Sequence, residues 1–355
     1  MKNDISKIDS NFKVETNLNK PDIRFFDVKK IPEILFGVEH DGERYRRMPK
    51  SVGDAVNESV AALARKTAGG RLRFVTDSPY VALSVKMSNE ATLPHMAHTG
   101  VSGFDVYADG TFRAEFVPPV PIGGGYERSH TFTDSAKKRL VTIGFPLYNE
   151  VEEVYLGIRE GSLLEVAPAY TYDRPVVYYG SSITQGACSS RPSISYPAYI
   201  SRWLDCDYIN LGFSGNAKGE MVLSEYAASL NPSVFVMDYD YNAPDYEHLK
   251  ATHEPFFKRF RELCPDTPVV MISSPSNDWR SDLSERNRRR DLIRENYERA
   301  VANGDDKVAF IDGDTLLGVE DRDACVVDGC HPNDLGFYRM AKTIAPVVKR
   351  FLELV

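Results

Sequence analysis

Nowhere in this 355-residue sequence does an apolar run approach the roughly twenty residues that a bilayer-spanning helix needs. The membrane interior is therefore not an expected partner. Positive charge is not gathered into a block either. Lys and Arg number 43 against 51 Asp and Glu, for a formal net charge of −8. The densest basic run, Arg286 to Arg290, lies in an otherwise acidic helix pattern and reads as a solvated face, so nucleic acid is not an expected partner. Cysteine is scarce, with five residues at irregular spacing, which suits a reducing compartment better than a disulfide framework. The amino terminus, MKNDISKIDSNF, has no apolar signal core. Together these absences lead us to expect a cytoplasmic protein. Internal repeats and low-complexity tracts are missing too.

What remains is a chain long enough for two cores, and its texture changes midway. Between about residues 70 and 165 the apolar residues come in short alternating runs: RLRFVTDS, YVALSVKMS, GFDVYADGTFRAEFV and RLVTIGFPLY. Alternation with period two makes these strands. Asp109-Gly110 between two of them marks a hairpin, because a tight primed turn needs positive φ. Closely spaced strands with little helix between them predict a β-sandwich, and the helical pattern VGDAVNESVAALARK leads into it. After Tyr172, apolar runs PVVYYG, DYINLG, SVFVMDYD, PVVMISSP and KVAFIDGD alternate with longer helical patterns, which predicts a parallel sheet covered on both faces. We therefore expect a polar extension over residues 1–22, a jelly-roll-like β-sandwich over 23–168 and an α/β domain over 169–355.

In an open parallel sheet, ligands bind beyond the carboxyl ends of the strands. Reading each run to its end collects the polar residues. The first stops at Gly180-Ser181-Ser182, the second at Gly212-Phe213-Ser214-Gly215-Asn216, and the third at Asp240 and Asn242. Beyond the fifth, Asp328 precedes His331 by three residues. This set fits acyl transfer. A serine hydroxyl attacks only when a base takes its proton, histidine does so at neutral pH, and an acid fixes the imidazole tautomer. Ser182, His331 and Asp328 are the candidates. The Ser182 and Gly215 N–H groups and the Asn242 amide are candidate oxyanion donors. The plain alternative makes Ser182 a helix N-cap, Gly215 a turn residue, Asn242 a cap before Pro244 and His331 a packing residue.

The remaining histidines lack an acid placed as Asp328 is. His95 and His98 form HMAH in the β half. As a metal pair they lack third and fourth ligands nearby, so no metal and no cofactor is expected. Instead, that loop can reach the rim, with His98 as a substrate-binding candidate beside Asp240 and Trp279. Trp203 falls on a helix pattern and is expected in the core.

The blocks GSSIT, NLGFSGN, DYDYNA and DGCH resemble those of the SGNH, or GDSL-type, hydrolase superfamily, with Ser182, Gly215, Asn242 and His331 at the four naming positions. SGFDVYADG resembles the Gly-x-Asp-Leu-Tyr motif of a β-sandwich domain fused to some of these hydrolases, here Gly103, Asp105 and Tyr107. The resemblance implies a flavodoxin-like three-layer fold, no metal and a Ser-His-Asp acyl-enzyme. Two departures stand out. Ser181 replaces the acid of the usual Gly-Asp-Ser, and Tyr-Asp-Tyr-Asn replaces the usual Gly-x-Asn-Asp. Thr184 breaks any Gly-x-Ser-x-Gly elbow. The expected activity is hydrolysis of a small acyl ester, acetyl foremost, of a carbohydrate or other hydroxylated small molecule. An acyltransferase and an inactive carbohydrate-binding protein are the alternatives. The oligomeric state is not fixed by the sequence.

Overall fold

Period-two alternation in the first half folds as two facing antiparallel sheets in the computed structural model, which describes residues 16–89, 93–134, 137–275 and 283–354. One sheet runs in the order β1 (Ile23–Asp27), β11 (Val151–Arg159), β6 (Tyr80–Met87), β9 (Gly125–Thr131). The other runs β12 (Glu165–Val166), β5 (Arg71–Thr76), β10 (Arg139–Gly144), β7 (Phe104–Ala108), β8 (Thr111–Phe116), with β2 (Leu35–Phe36) added to β5. A small hairpin, β3 (Glu39–His40) and β4 (Tyr45–Arg46), stands beside them. Val81, Leu83, Leu156 and Ile158 from one sheet meet Leu72, Phe74, Val106 and Val141 from the other in a single apolar core. The β7–β8 hairpin turns at Asp109 and Gly110, both at positive φ (51° and 74°), as the dipeptide predicts.

The second half forms a five-stranded parallel sheet in the order β14 (Cys206–Gly212), β13 (Tyr172–Gly180), β15 (Val234–Asp238), β16 (Val269–Ile272), β17 (Val308–Ile311). This is the 2-1-3-4-5 order of flavodoxin-like folds. Strand residues alternate between two cores. Val176, Tyr178, Val234 and Val236 pack under α5 (Tyr196–Leu204) and α9 (Asp334–Leu352). Val177, Tyr179, Phe235 and Met237 pack under α6 (Met221–Ser229), α7 (Tyr246–Leu263) and α8 (Ser284–Ala302). Burial on both faces explains why β15 reads as an unbroken apolar run. Among the described residues, no helix is long and apolar enough to cross a membrane.

Three expectations change. The pattern VGDAVNESVAALARK divides into α1 (Lys50–Val56) and α2 (Glu58–Leu63), because the Asn57 side chain accepts from Val60 N and caps a new helix. Its apolar residues Val60 and Ala64 join the core beneath the parallel sheet rather than the sandwich. The arginine run on α8 is not a solvated face. Arg286 and Arg290 pair with Asp314, and Arg289 Nη1 donates to the Asp240 and Ala243 carbonyls, each at 2.9 Å. Trp203 is not in the core. It is 39% exposed, tilted against Tyr199 and edge-on to Tyr338.

Candidate active site

The register brings three strand ends level: Gly180 of β13 stands opposite Gly212 of β14 and Asp238 of β15. A Cβ on Gly180 would lie 2.1 Å from Thr184 Oγ1 and 2.4 Å from the Asp238 carbonyl. Only glycine lets the chain fold α4 (Ser182–Gln185) back over the strand tips.

The two serines after Gly180 divide the roles that the sequence left open. Ser181, not Ser182, is the N-cap of α4: its Oγ accepts from Ile183 N at 3.1 Å. Ser182 is the first helical residue, a position whose N–H has no intrahelical acceptor. Its Oγ lies 2.9 Å from His331 Nε2, across 149 residues of sequence. Behind the imidazole, His331 Nδ1 lies 2.7 Å from Asp328 Oδ2. The turn that permits this is closed by Val327 N donating to the His331 carbonyl at 2.9 Å, with Gly329 at φ 78°. Partial burial pushes the Asp328 carboxyl up, but the His331 N–H, the His331 ring and the Cys330 N–H outweigh it and hold it down at about 2. Asp328 is therefore ionised at neutral pH and fixes the orientation of the imidazole.

The loop after β14 carries Gly215 at φ 68°, in the left-handed region that glycine enters without strain. Its position is set by Ser214 N donating to Gln185 Oε1 at 3.1 Å. From the other side, Asn242 Nδ2 donates to the Phe213 carbonyl at 2.8 Å, which uses one of its two amide hydrogens. The turn that carries Asn242 (Asp240–Asn242) is itself held by Arg289. The arginine run thus serves the rim.

The candidate substrate contacts fare differently. Asp240 is 2% exposed, its Oδ2 accepting from Ser274 N at 3.0 Å, so it joins two strand ends from within. His98, in α3 (His98–Ser102), has Nε2 3.1 Å from the Pro119 carbonyl. The ring of His95 packs beside that of His331, with centroids 5.8 Å apart. Trp279 lies outside the described residues. The HMAH loop therefore reaches the rim, but through the other histidine. No spacing rule separates the two, because the loop path decides which one faces inward.

Three more residues at the rim were missed by sequence reasoning. Cys188, at φ 68°, donates its Sγ–H to the His95 carbonyl at 3.4 Å. Tyr148, from the loop after β10, has its hydroxyl 3.3 Å from the Ser182 carbonyl. Arg47 is buried. Its Nη1 donates to the Asn210 and Gly212 carbonyls at 3.1 and 2.6 Å and its Nη2 to Leu63 O at 2.6 Å, pinning the end of β14. Burial lowers the Arg47 guanidinium to about 9. All three sit in the polar, irregular connections where hydrophobic periodicity carries no signal.

Where the acid of the usual Gly-Asp-Ser is replaced by Ser181, a buried acid lies beneath: Asp238 Oδ2 accepts from Thr184 Oγ1 and Tyr196 Oη, each at 3.0 Å. Burial, assisted by Asp240, pushes this carboxyl up to about 8.

Against known proteins, residues 173–349 match the GDSL-like lipase/acylhydrolase family, and residues 23–164 match the N-terminal domain of SGNH-hydrolase-type esterases. A protein from Bacteroides ovatus described as a GDSL-like lipase is 28% identical over 93% of this chain and 98% of its own, with a TM-score of 0.83. A salicylyl acyltransferase from a tetracycline biosynthetic pathway is 20% identical over 94% of this chain and 96% of its own, with a TM-score of 0.74. An acetyl xylan esterase from the rumen bacterium Butyrivibrio proteoclasticus is 14% identical over 93% and 99%, with a TM-score of 0.60. The last two share the fold with this chain. No curated protein matches it.

Proposed function

The chain belongs to the GDSL-like lipase/acylhydrolase family and is an esterase, and on that premise we propose that it removes a small acyl group, acetyl foremost, from a hydroxyl of a carbohydrate or other hydroxylated metabolite. Ser182 Oγ attacks the ester carbonyl as His331 Nε2 takes its proton. Asp328 stabilises the imidazolium, and the tetrahedral oxyanion is held by Ser182 N–H, Gly215 N–H and the Asn242 amide. The imidazolium then protonates the leaving alcohol. In the second half the now neutral His331 takes a proton from a water that attacks the acyl-enzyme carbonyl, and it returns that proton to Ser182 Oγ as the acyl–oxygen bond breaks and the acid leaves.

The observation that carries this reading is the unbroken relay Ser182–His331–Asp328, with links of 2.9 and 2.7 Å. The choice of a sugar as the leaving alcohol rests on the fold shared with the acetyl xylan esterase and on the fused sandwich.

The test is hydrolysis of p-nitrophenyl acetate, and then of a longer acyl series, by wild type and Ser182→Ala. Loss of turnover in the variant and a fall in rate with chain length support the proposal. Equal rates in the two proteins remove Ser182 from its role. Acyl transfer to an alcohol would use the same acyl-enzyme, so products are analysed with sugar alcohols present. An ester product in place of free acid assigns transfer instead of hydrolysis.

A further inference from the structure

Beyond the hydrolytic reading, we propose that His95, Cys188 and His331 form a zinc site beside the nucleophile, and that a bound ion switches the enzyme off. The three side chains come from separate parts of the chain: the exposed loop before α3, the loop after α4, and the turn before α9. One ligand atom from each lies within 4.8 Å of the other two. Around zinc, donors at about 2.0–2.1 Å for nitrogen and about 2.3 Å for sulfur stand roughly 3.3–3.6 Å apart. The cluster therefore closes by about an ångström, and the exposed His95 is the member able to move.

Two features make this more than a coincidence of three residues. The Nδ1 atom of His331 is already committed to Asp328, at 2.7 Å. This leaves Nε2 as the metal-binding atom, with a carboxylate behind the ring, the arrangement that orients and strengthens imidazole ligands of zinc. Cys188 is also held in place from several directions. Its backbone sits in the left-handed region, its Sγ is already turned toward the His95 segment, and Ser190 N and Oγ bind Asp334 at 2.9 and 2.7 Å. One thiolate with two imidazoles is a donor set for zinc rather than magnesium or calcium. Ser182 Oγ, 2.9 Å from Nε2, loses its hydrogen bond to that atom when the ion binds there.

In the metal-free chain, burial, with Asp328 and Cys330 adding, pushes the Cys188 thiol up to about 12. Zinc binding converts thiol to thiolate and releases that proton to solvent. Zinc on Nε2 occupies the lone pair that would accept the Ser182 proton. Inhibition rests on the proposed activity; metal binding does not.

The experiment uses tag-free full-length chain stripped with a chelator. Zinc chloride binding is measured by calorimetry on wild type and Ser182→Ala, and cobalt(II) binding by absorption. Hydrolysis of p-nitrophenyl acetate is titrated with zinc for wild type, His95→Ala and Cys188→Ala, each against its own rate in chelator. We expect one zinc per chain in wild type and in Ser182→Ala, and a thiolate-to-cobalt band that Cys188→Ala lacks. At least a tenfold loss of zinc affinity is expected in both ligand variants, with a matching rise in the zinc needed for half inhibition. Cys188→Ser is a second variant if Cys188→Ala does not fold. The site is overturned if Ser182→Ala binds no stoichiometric zinc or if His95 and Cys188 variants bind it as wild type does. Zinc bound through these residues with hydrolysis unchanged overturns the inhibition. A chelator-treated wild type that hydrolyses no ester tells against the proposed activity and leaves the calorimetry to judge the metal site.

Discussion

The buried carboxylate of Asp105, in the sandwich, accepts both hydrogens that Ser193 offers from the α/β half, N–H at 2.9 Å and Oγ–H at 2.7 Å. Ser193 follows the loop that begins at Ser182, and Arg191 Nε lies 3.7 Å from the same carboxylate. Tyr107, two residues on, stacks under Arg202 of α5 at 4.5 Å. The Gly-x-Asp-x-Tyr motif is thus a clamp between the two halves. Asp105→Ala leaves two buried donors without an acceptor. It should lower stability by about 1–3 kcal/mol, seen as an earlier midpoint in urea, and slow ester hydrolysis through the displaced loop. An unchanged midpoint would remove the clamp.

Ser181 and Ser182 should respond in opposite ways. Ser181→Ala removes the N-cap of α4 and is expected to lower stability by about 1 kcal/mol while turnover survives. Ser182→Ala should leave the melting temperature in place and abolish turnover. Parallel calorimetry and p-nitrophenyl acetate assays on the two variants check both.

Asp328→Asn keeps the size of the side chain and removes the charge that orients His331. We expect kcat to fall by about three to four orders of magnitude, with near-native circular dichroism. A loss of less than tenfold would mean that His331 does not depend on it.

Asn242→Ala is expected to reduce kcat about a hundredfold to a thousandfold with a smaller change in KM. Arg289→Met, which releases the turn behind Asn242, should produce a weaker version of the same effect. Steady-state kinetics on both variants would separate an oxyanion donor from a purely structural cap, since a cap alone would move stability and not kcat.

Glu115 stands across the β7–β8 pair from Asp105, and neither of its carboxyl oxygens meets a hydrogen-bond donor. Burial, with the Asp105 charge adding, pushes its carboxyl from 4.5 up to about 9. Between those values the folded chain holds a proton that the unfolded chain has lost. Its contribution to stability is therefore complete at acid pH and declines as pH rises through that window. Glu115→Gln removes the titration, so it should flatten the fall in melting temperature between pH 5 and about 9. Thermal scans of the two proteins across that range are the measurement, and parallel curves would refute it.

The elements were legible because hydrophobic period is a local property: α5, α9 and the strands from β13 to β17 fall where their apolar patterns place them. The rim was legible for a related reason, since β13, β14 and β15 all end at polar residues and parallel strands end on one edge. The sequence offered Ser182 as the cap of α4, and the structure gives that place to Ser181, whose side chain is an equally good cap one residue earlier. It pointed to His98 where His95 faces the site, and it read the α8 arginines as solvated because their acceptors, Asp314 and the Asp240 and Ala243 carbonyls, lie on other elements. Asp240 looked like a rim residue, and only the packing of Ser274 against it made it interior.

By itself, then, the sequence determined an antiparallel sandwich joined to a parallel α/β layer and the identities of a serine, an acid and a histidine at the sheet's edge. Periodicity, glycine and turn chemistry act within a few residues and are written in order along the chain. The tertiary structure alone decided that Ser182 meets His331 across 149 residues, that α1 and α2 serve the far domain, and that His95 and Cys188 arrive beside the same imidazole. Those contacts depend on how loops close between packed layers, and loop paths are set by burial and hydrogen bonding to distant partners rather than by any neighbouring residue.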